Sequence, residues 1–258
     1  MSRIFALGAP ELPPTPYPQL LAASLALLTV SEASKFYPGS ACFKIIASLA
    51  FVGGGIALAP SPGAWADPLN RYPAAIAVGL VSSLVGDILL IPGRKSYHEP
   101  VGQSAPADPG ARFKAGTAFF ALAHAAYIAA FLSPASATTF RLPDFAVALA
   151  TGLALTYKLG FLGGRTEAGE NPLMRVPADM KGLVGGYALI IVGMVATAAA
   201  TDKGLQRTVG AVMFMCSDLY VAMDVFGAEG KTGWKARAVG WMAYFWAQML
   251  LAGCLASP

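Results

Sequence analysis

Charged residues are scarce in this chain of 258 residues: they make up only 12% of it, whereas 56% of the residues are hydrophobic. So few charges do not cover the surface of a water-soluble globule, and the mean hydropathy is correspondingly high at +0.58. The shortage excludes a soluble enzyme, a nucleic-acid-binding protein and a disordered chain. We therefore attribute the net charge of +4 to basic residues that flank membrane spans, not to an acidic partner.

Histidine and cysteine are also rare. His98 and His124 are the two histidines, and the three cysteines form no Cys-x-x-Cys motif. Two histidines are too few for the His-rich clusters of di-iron membrane enzymes or of zinc hydrolases. We expect free, buried thiols, no metal and no other cofactor.

Long uncharged stretches dominate the sequence. A helix needs about 20 apolar residues to cross about 30 Å of hydrocarbon, and helices satisfy their own backbone groups in lipid. We predict an all-α fold, a polytopic membrane bundle of eight transmembrane helices that forms one integral membrane domain over residues 1–258. The predicted spans cover residues 20–33, 41–59, 73–91, 113–132, 145–162, 182–200, 208–226 and 239–255.

Basic residues are distributed unevenly between the two sides of the predicted bundle. The loops after the first, third, fifth and seventh spans, here called the odd-numbered loops, hold twelve of the eighteen Lys and Arg residues. The termini and the even-numbered loops hold five, and Arg207 is counted among these. The positive-inside rule therefore places the odd-numbered loops in the cytosol and both termini on the extracytoplasmic side.

Ionisable and polar side chains inside the spans cluster toward the odd-numbered loops, which predicts a polar cavity opening on that side. Ionisable residues within membrane spans are costly and commonly functional. We interpret Glu32 and Asp224 as interfacial residues that reach the headgroups. Asp87 and Asp218 are too deep for this and are the main functional candidates. The other candidates are Lys44, His124, Tyr187, Tyr244 and Gln248.

Four short motifs follow one another along the chain. They are Leu-Val-Gly-Asp-Ile-Leu-Leu at 84–90, Phe-Lys-Ala-Gly at 113–116 with His124 and Tyr127 behind it, Gly-Ala-Val-Met-Phe-Met-Cys-Ser-Asp at 210–218, and Tyr244 with Gln248. In this order they resemble the YhhN/TMEM86 family of eight-helix lysoplasmalogenases, over about residues 31–255. Lys44 matches the lysine of that family's usual Lys-Pro pair, although Ile45 follows it here. The connection 92–112 resembles an insertion.

The resemblance implies hydrolysis of the vinyl-ether bond of a lysoplasmalogen, a lysophospholipid drawn from the membrane. Such a bond is cleaved by protonation of a carbon atom, which requires an acid and a second group that stabilises the cation or activates water. We expect Asp87 and Asp218 to fill these roles as a coupled pair and Lys44 to bind the phosphate. The remaining candidates, His124, Tyr127, Tyr187, Tyr244 and Gln248, are expected to orient water and the glycerol hydroxyl.

Two alternative functions remain open at this point. A transporter or a sensor of lipids or small molecules would use the same polar cavity, and a related hydrolase would act on another ether or on an epoxide lipid. The sequence leaves the headgroup preference, the identity of the acid and the oligomeric state undetermined.

The charge distribution makes a testable prediction about orientation. In sealed microsomes, a protease on the cytosolic face should cut a tag inserted near Gly102, which lies in an odd-numbered loop, and should leave a tag at either terminus intact. Immunoblotting with and without detergent measures this, and the opposite pattern of protection would invert the orientation.

Overall fold

The described part of the chain is almost entirely α-helical. The computed structural model describes residues 10–59, 71–99, 110–133, 139–161, 173–174, 176–201, 204–227 and 232–256, with two isolated bridges as the β-structure within these ranges. The all-α prediction is therefore confirmed for this part. The helices are α1 (Tyr17–Ala33), α2 (Tyr37–Leu58), α3 (Tyr72–Leu89), α4 (Arg94–Tyr97), α5 (Ala111–Phe131), α6 (Leu142–Leu159), α7 (Lys181–Ala200), α8 (Gly204–Phe226) and α9 (Trp234–Gly253).

Each of the eight long helices overlaps one predicted span. Five stretches are long and apolar enough to cross a membrane, which is consistent with a multi-pass membrane protein: Tyr37–Leu58, Tyr72–Leu89, Ala111–Phe131, Ala178–Ala200 and Leu205–Phe226. That all eight helices cross the membrane stays a prediction.

All eight long helices begin earlier than their predicted spans, by one to five residues, and α2 and α9 show why. Helix α2 begins at Tyr37 with Pro38 in its first turn, where proline has no N–H to leave unpaired. Helix α9 begins at Trp234. The predicted span begins later because it contains only uncharged residues, whereas the first turns of α9 include Lys235 and Arg237.

Two glycines let α3 and α5 pack closely. A Cβ atom built on Gly79 would lie 2.5 Å from Cε1 of Tyr127, and one on Gly86 would lie 2.7 Å from Cε2 of Phe120. The two glycines are seven residues apart and therefore share one face of α3. The absence of their side chains creates room for the two aromatic rings.

Helix α3 ends deeper in the bundle than its neighbours begin. Asp87 is two residues from the end of α3, yet it contacts Lys44, seven residues into α2, and Tyr244, ten residues into α9. At about 1.5 Å per residue, the carboxyl end of α3 thus lies roughly 10 Å deeper in the bundle than the amino ends of α2 and α9. The short helix α4 follows this end along the chain, and its Tyr97 hydroxyl lies 2.8 Å from Oγ of Ser40.

At the opposite end of the bundle, the assignment of Arg207 to a loop is wrong. Arg207 lies in α8 with 1% of its surface exposed. Its guanidinium donates to Oγ1 of Thr201 at 3.1 Å and lies 5.1 Å from the Phe131 ring and 6.0 Å from the Tyr72 ring. These aromatic faces and the hydroxyl allow an arginine to be buried where the sequence predicts a charge in water.

We predict that Gly79→Ala destabilises the protein. The added methyl group would displace the Tyr127 ring, and overpacking of this kind typically costs about 1–3 kcal/mol. Thermal unfolding in detergent should show a lower Tm. Gly182→Ala is the control, because it also lies in a helix and nothing lies within 4 Å of its Cβ position. An equal effect of the two substitutions would contradict the packing argument.

Candidate functional site

A cavity of about 480 Å³ lies at the end of the bundle where the odd-numbered loops join the helices. Tyr37, Ile91, Phe161 and Thr232, which stand at or beside these connections, all line it. A cavity is therefore present on the predicted side, although the sequence predicts a polar one. Much of its wall is apolar, formed by residues such as Phe113, Leu183, Val184, Ile191, Val225 and Phe226.

Asp87 accepts three polar contacts just behind the cavity wall. Lys44 Nζ lies 3.4 Å from its Oδ1, while Ser48 and Tyr244 donate to its Oδ2 at 2.8 Å and 2.7 Å. The Asp87 side chain is only 3% exposed, whereas Lys44 and Tyr244 line the cavity. Because an ammonium group and two hydroxyls surround the carboxylate, its charge is compensated within the apolar bundle.

Asp218 lines the cavity itself, with 11% of its side chain exposed. Tyr187 donates to its Oδ2 at 3.0 Å, and Nε2 of the fully buried His124 lies 3.2 Å from the same atom. The His124 ring is off the line of a good hydrogen bond to this oxygen, and its Nδ1 lies 2.6 Å from the Phe120 carbonyl oxygen. A carboxyl group backed by an imidazole is an arrangement that can exchange a proton with a bound molecule.

The two carboxyl groups belong to adjoining but separate clusters. No hydrogen bond joins Asp87 to Asp218, and each has its own partners. The rings between them form a continuous aromatic contact: the Phe214 ring lies 4.3 Å from that of His124 and 5.3 Å from that of Tyr244. The coupling of the two residues that the sequence predicts therefore does not run through a direct hydrogen bond between the two carboxyl groups.

Tyr127 and Gln248 are not among the residues that line the cavity. The Tyr127 hydroxyl donates to Oε1 of Gln248 at 2.6 Å, and Nε2 of Gln248 donates to Oγ of Ser83 at 3.1 Å. Tyr127 and Gln248 are fully buried. They lie behind the site as a hydrogen-bonded group that joins α3, α5 and α9.

The two residues interpreted as interfacial have partners in the protein instead. Glu32 is 6% exposed, and its Oε2 lies 3.0 Å from Nη2 of Arg237. Asp224 accepts hydrogen bonds from the N–H and the hydroxyl of Thr232 at 2.7 Å and 2.6 Å. The interpretation that it reaches the headgroups was wrong for the buried Glu32, whereas for the half-buried Asp224 it stays a prediction. A single sequence does not reveal which cation of another helix, or which hydroxyl of a connection, lies beside each acid.

Four residues near the site were not predicted from the sequence: Ser48, Ser83, Tyr97 and Arg237. For the two serines a signal was present: Ser48 lies four residues after Lys44, and Ser83 lies four residues before Asp87, so each shares a helix face with a candidate. Tyr97 lies in a connection, where helical spacing gives no signal. Burial is the main reason that the pKa of its phenol is raised above the ordinary value, so the hydroxyl keeps its proton.

The donor set offers little to a metal ion. Among the described residues, no three His, Cys, Asp or Glu side chains come close enough together to hold one. The donors around Asp87 and Asp218 are an ammonium group, hydroxyls and an imidazole. The independence of a metal stays a prediction.

The three cysteines have free thiols, but the prediction that all three are buried is wrong. Cys254 is buried, Cys216 is half-buried and Cys42 is exposed.

A family profile, that of the YhhN family, matches residues 39–255. The chain belongs to the YhhN family. The YhhN match includes Lys44, Asp87, His124, Asp218 and Tyr244 but leaves out α1 with Glu32. Helix α2 is continuous through Lys44 and Ile45. Comparison with curated proteins and with solved structures finds no match.

The ion pair of Lys44 and Asp87 makes a prediction about stability. Lys44→Met should lower the Tm markedly, because a buried carboxylate without its cation typically costs about 3–5 kcal/mol. Adding Asp87→Asn to this variant should recover part of the loss, since the uncompensated charge is then gone. Thermal unfolding in detergent measures both, with Lys158→Met, an exposed lysine on α6, as the control. A double variant that is less stable than Lys44→Met would contradict the pairing.

Proposed function

We propose that the chain is a membrane lysoplasmalogenase, which hydrolyses the vinyl-ether bond of a lysoplasmalogen to a fatty aldehyde and a glycerophospho-base. The observation that carries the proposal is the pair of carboxyl clusters at a largely apolar cavity, in a chain of the YhhN family. A lipid with one chain supplies the apolar part that such a wall contacts, and the reaction requires proton transfer at the polar part.

The proposed reaction begins with the transfer of a proton to the β-carbon of the vinyl ether. The carbon–carbon double bond supplies the electron pair, and an oxocarbenium ion forms at the α-carbon. Water then adds to the α-carbon and gives up one proton to the protein, which leaves a hemiacetal. The hemiacetal collapses to the aldehyde and the free glycerol hydroxyl, so that one water molecule is consumed and the acid is regenerated.

Asp218 is the proposed proton donor, because of the two candidates, Asp87 and Asp218, it is the one that lines the cavity. An acid must be protonated to act in this way, and removal of a carboxyl group from water favours its neutral form. His124 stands behind Asp218 and can take up or return the proton as water adds. Tyr187 holds the carboxyl oxygen and lies on the cavity wall, as expected of a group that orients the substrate.

Asp87 is proposed to act through Tyr244. The Tyr244 hydroxyl donates to Asp87 and therefore offers an oxygen lone pair toward the cavity, where water or the developing cation can be held. The negative charge of Asp87 also stabilises a cation nearby, and Lys44 keeps that charge in place. Tyr127 and Gln248 support this arrangement from behind.

The far end of the bundle favours an enzyme over a transporter. A transporter needs a second exit, whereas Arg207, Tyr72 and Phe131 form a buried layer there, each with at most 1% of its surface exposed. Among the described residues, the lining of the cavity thus lies toward one side of the bundle, the side that the charge distribution predicts to be cytosolic.

The test is an assay of the purified protein with two substrates that differ in one bond. Lysoplasmalogen should release aldehyde in buffer that contains EDTA, and the ester-linked lysophospholipid should release no fatty acid. Aldehyde release can be followed by mass spectrometry. Cleavage of the ester, or failure to cleave the vinyl ether, would contradict the proposed function.

Asp87→Asn and Asp218→Asn should each reduce turnover at least tenfold while leaving the protein folded. Because the two clusters serve one reaction, the double variant should be no slower than the slower single variant. Size-exclusion chromatography and thermal unfolding check the fold. Additive losses would mean that the two carboxyl groups act in independent steps.

A further inference from the structure

The mouth of the cavity contains an arginine that the proposed reaction does not use. Arg237 lies three residues into α9, lines the cavity, and has 28% of its side chain exposed. Its Nη2 is held 3.0 Å from Oε2 of Glu32, a carboxylate with only 5% of its side chain exposed. The guanidinium is therefore fixed in position at the cavity wall before any ligand arrives.

The remaining donors of Arg237 are available to an anion. A guanidinium has five N–H donors, and one contact with Glu32 leaves most of them. Its Nε is buried and has no hydrogen-bond partner among the described residues. A buried donor without an acceptor costs free energy, which an oxyanion that reached this nitrogen would recover. Phosphate oxygens suit such a fixed planar group well.

The other two cations at the cavity fit this task less well. Lys44 lies beside Asp87, deeper in the bundle, so its charge already compensates that carboxylate. Arg112 is exposed, and its Nη2 donates to the Ile88 carbonyl at 3.3 Å. Arg237 is also held by a buried acid, Glu32, but it lies near the amino end of its helix, at the mouth of the cavity.

The spacing along α9 also matches a lipid that lies along the cavity. Arg237 and Tyr244 are seven residues apart, which places them on the same helix face about 10 Å apart along the axis. Trp241 and Gly240, between them, also line the cavity. A lysolipid with its phosphate at Arg237 would extend its glycerol and ether bond inward to Tyr244 and Asp218.

We propose that Arg237 binds the phosphate of the lysolipid headgroup and that Glu32 is a positioning residue that holds its guanidinium. This inference rests on the proposed function, and it replaces Lys44 as the expected phosphate ligand. Lysolipid and free phosphate share the same chemistry, so the experiment must separate these two sources.

The first measurement compares turnover of two vinyl ethers, a lysoplasmalogen and the corresponding 1-alkenylglycerol without phosphate. Arg237→Gln should raise KM for the lysoplasmalogen by about tenfold, equivalent to about 1.4 kcal/mol, with little change in kcat. Its KM for the 1-alkenylglycerol should stay within about twofold of the unaltered protein's value. Arg237→Lys should give an intermediate KM for the lysoplasmalogen, because it keeps the charge and loses the planar donors.

Lys235→Gln is the matched control, because it removes the same charge from an exposed position on the same helix. It should leave KM for both compounds unchanged. If Arg237→Gln impairs both compounds equally, Arg237 has a structural role and the proposal fails. If it impairs neither, the phosphate is bound elsewhere and the proposal also fails.

The second measurement is binding without turnover, by tryptophan fluorescence, to which Trp241 in the cavity wall contributes. A 1-alkyl lysophosphocholine, which lacks the vinyl bond, should bind about tenfold more weakly to Arg237→Gln. Inorganic phosphate at millimolar concentration should not compete, and competition would mean that the site takes free phosphate. If Arg237-dependent lysolipid binding is present but vinyl ethers are not cleaved, the headgroup site stands and the proposed function fails.

Discussion

The burial of the Asp87 carboxylate is the constraint on which the site depends. A carboxylate among apolar helices is stable only with donors close by, and here they come from α2 and α9, while the residue itself belongs to α3. The same contacts therefore hold three helices together and form part of the cavity wall. Lys44 and Tyr244 contact Asp87 and also line the cavity, so they connect the buried carboxylate to the cavity.

The cavity has two levels with different chemistry. At the inner level, hydroxyls and an imidazole surround two carboxyl groups, and aromatic rings fill the space between them. At the outer level, Glu32 and Arg237 form an ion pair beside the connections between helices. A lysolipid has the same division, with a charged headgroup at the surface and an ether bond below it. The proposed function and the proposed headgroup site follow from this correspondence.

Helix positions were predictable from the sequence because uncharged stretches of about 20 residues leave few alternatives in a membrane. The side of the cavity was predictable because Asp87, Asp218 and Lys44 all lie toward the odd-numbered loops. What single-sequence reasoning did not provide was the pairing between helices. Glu32 with Arg237 and Arg207 with aromatic rings both depend on which side chains meet across a contact, and hydropathy contains no information about that.

The early end of α3 has an electrical consequence. Leu89 and Leu90, at its carboxyl end, line the cavity, so the negative end of the helix dipole faces the inner level. This end disfavours a negative charge on Asp87, which is one more reason for the ammonium group of Lys44 beside it. The same field favours positive charge near this end, where the Arg112 guanidinium already donates to the Ile88 carbonyl. In the proposed reaction, the oxocarbenium ion would form in a field that a helix ending at the membrane surface could not provide at this depth.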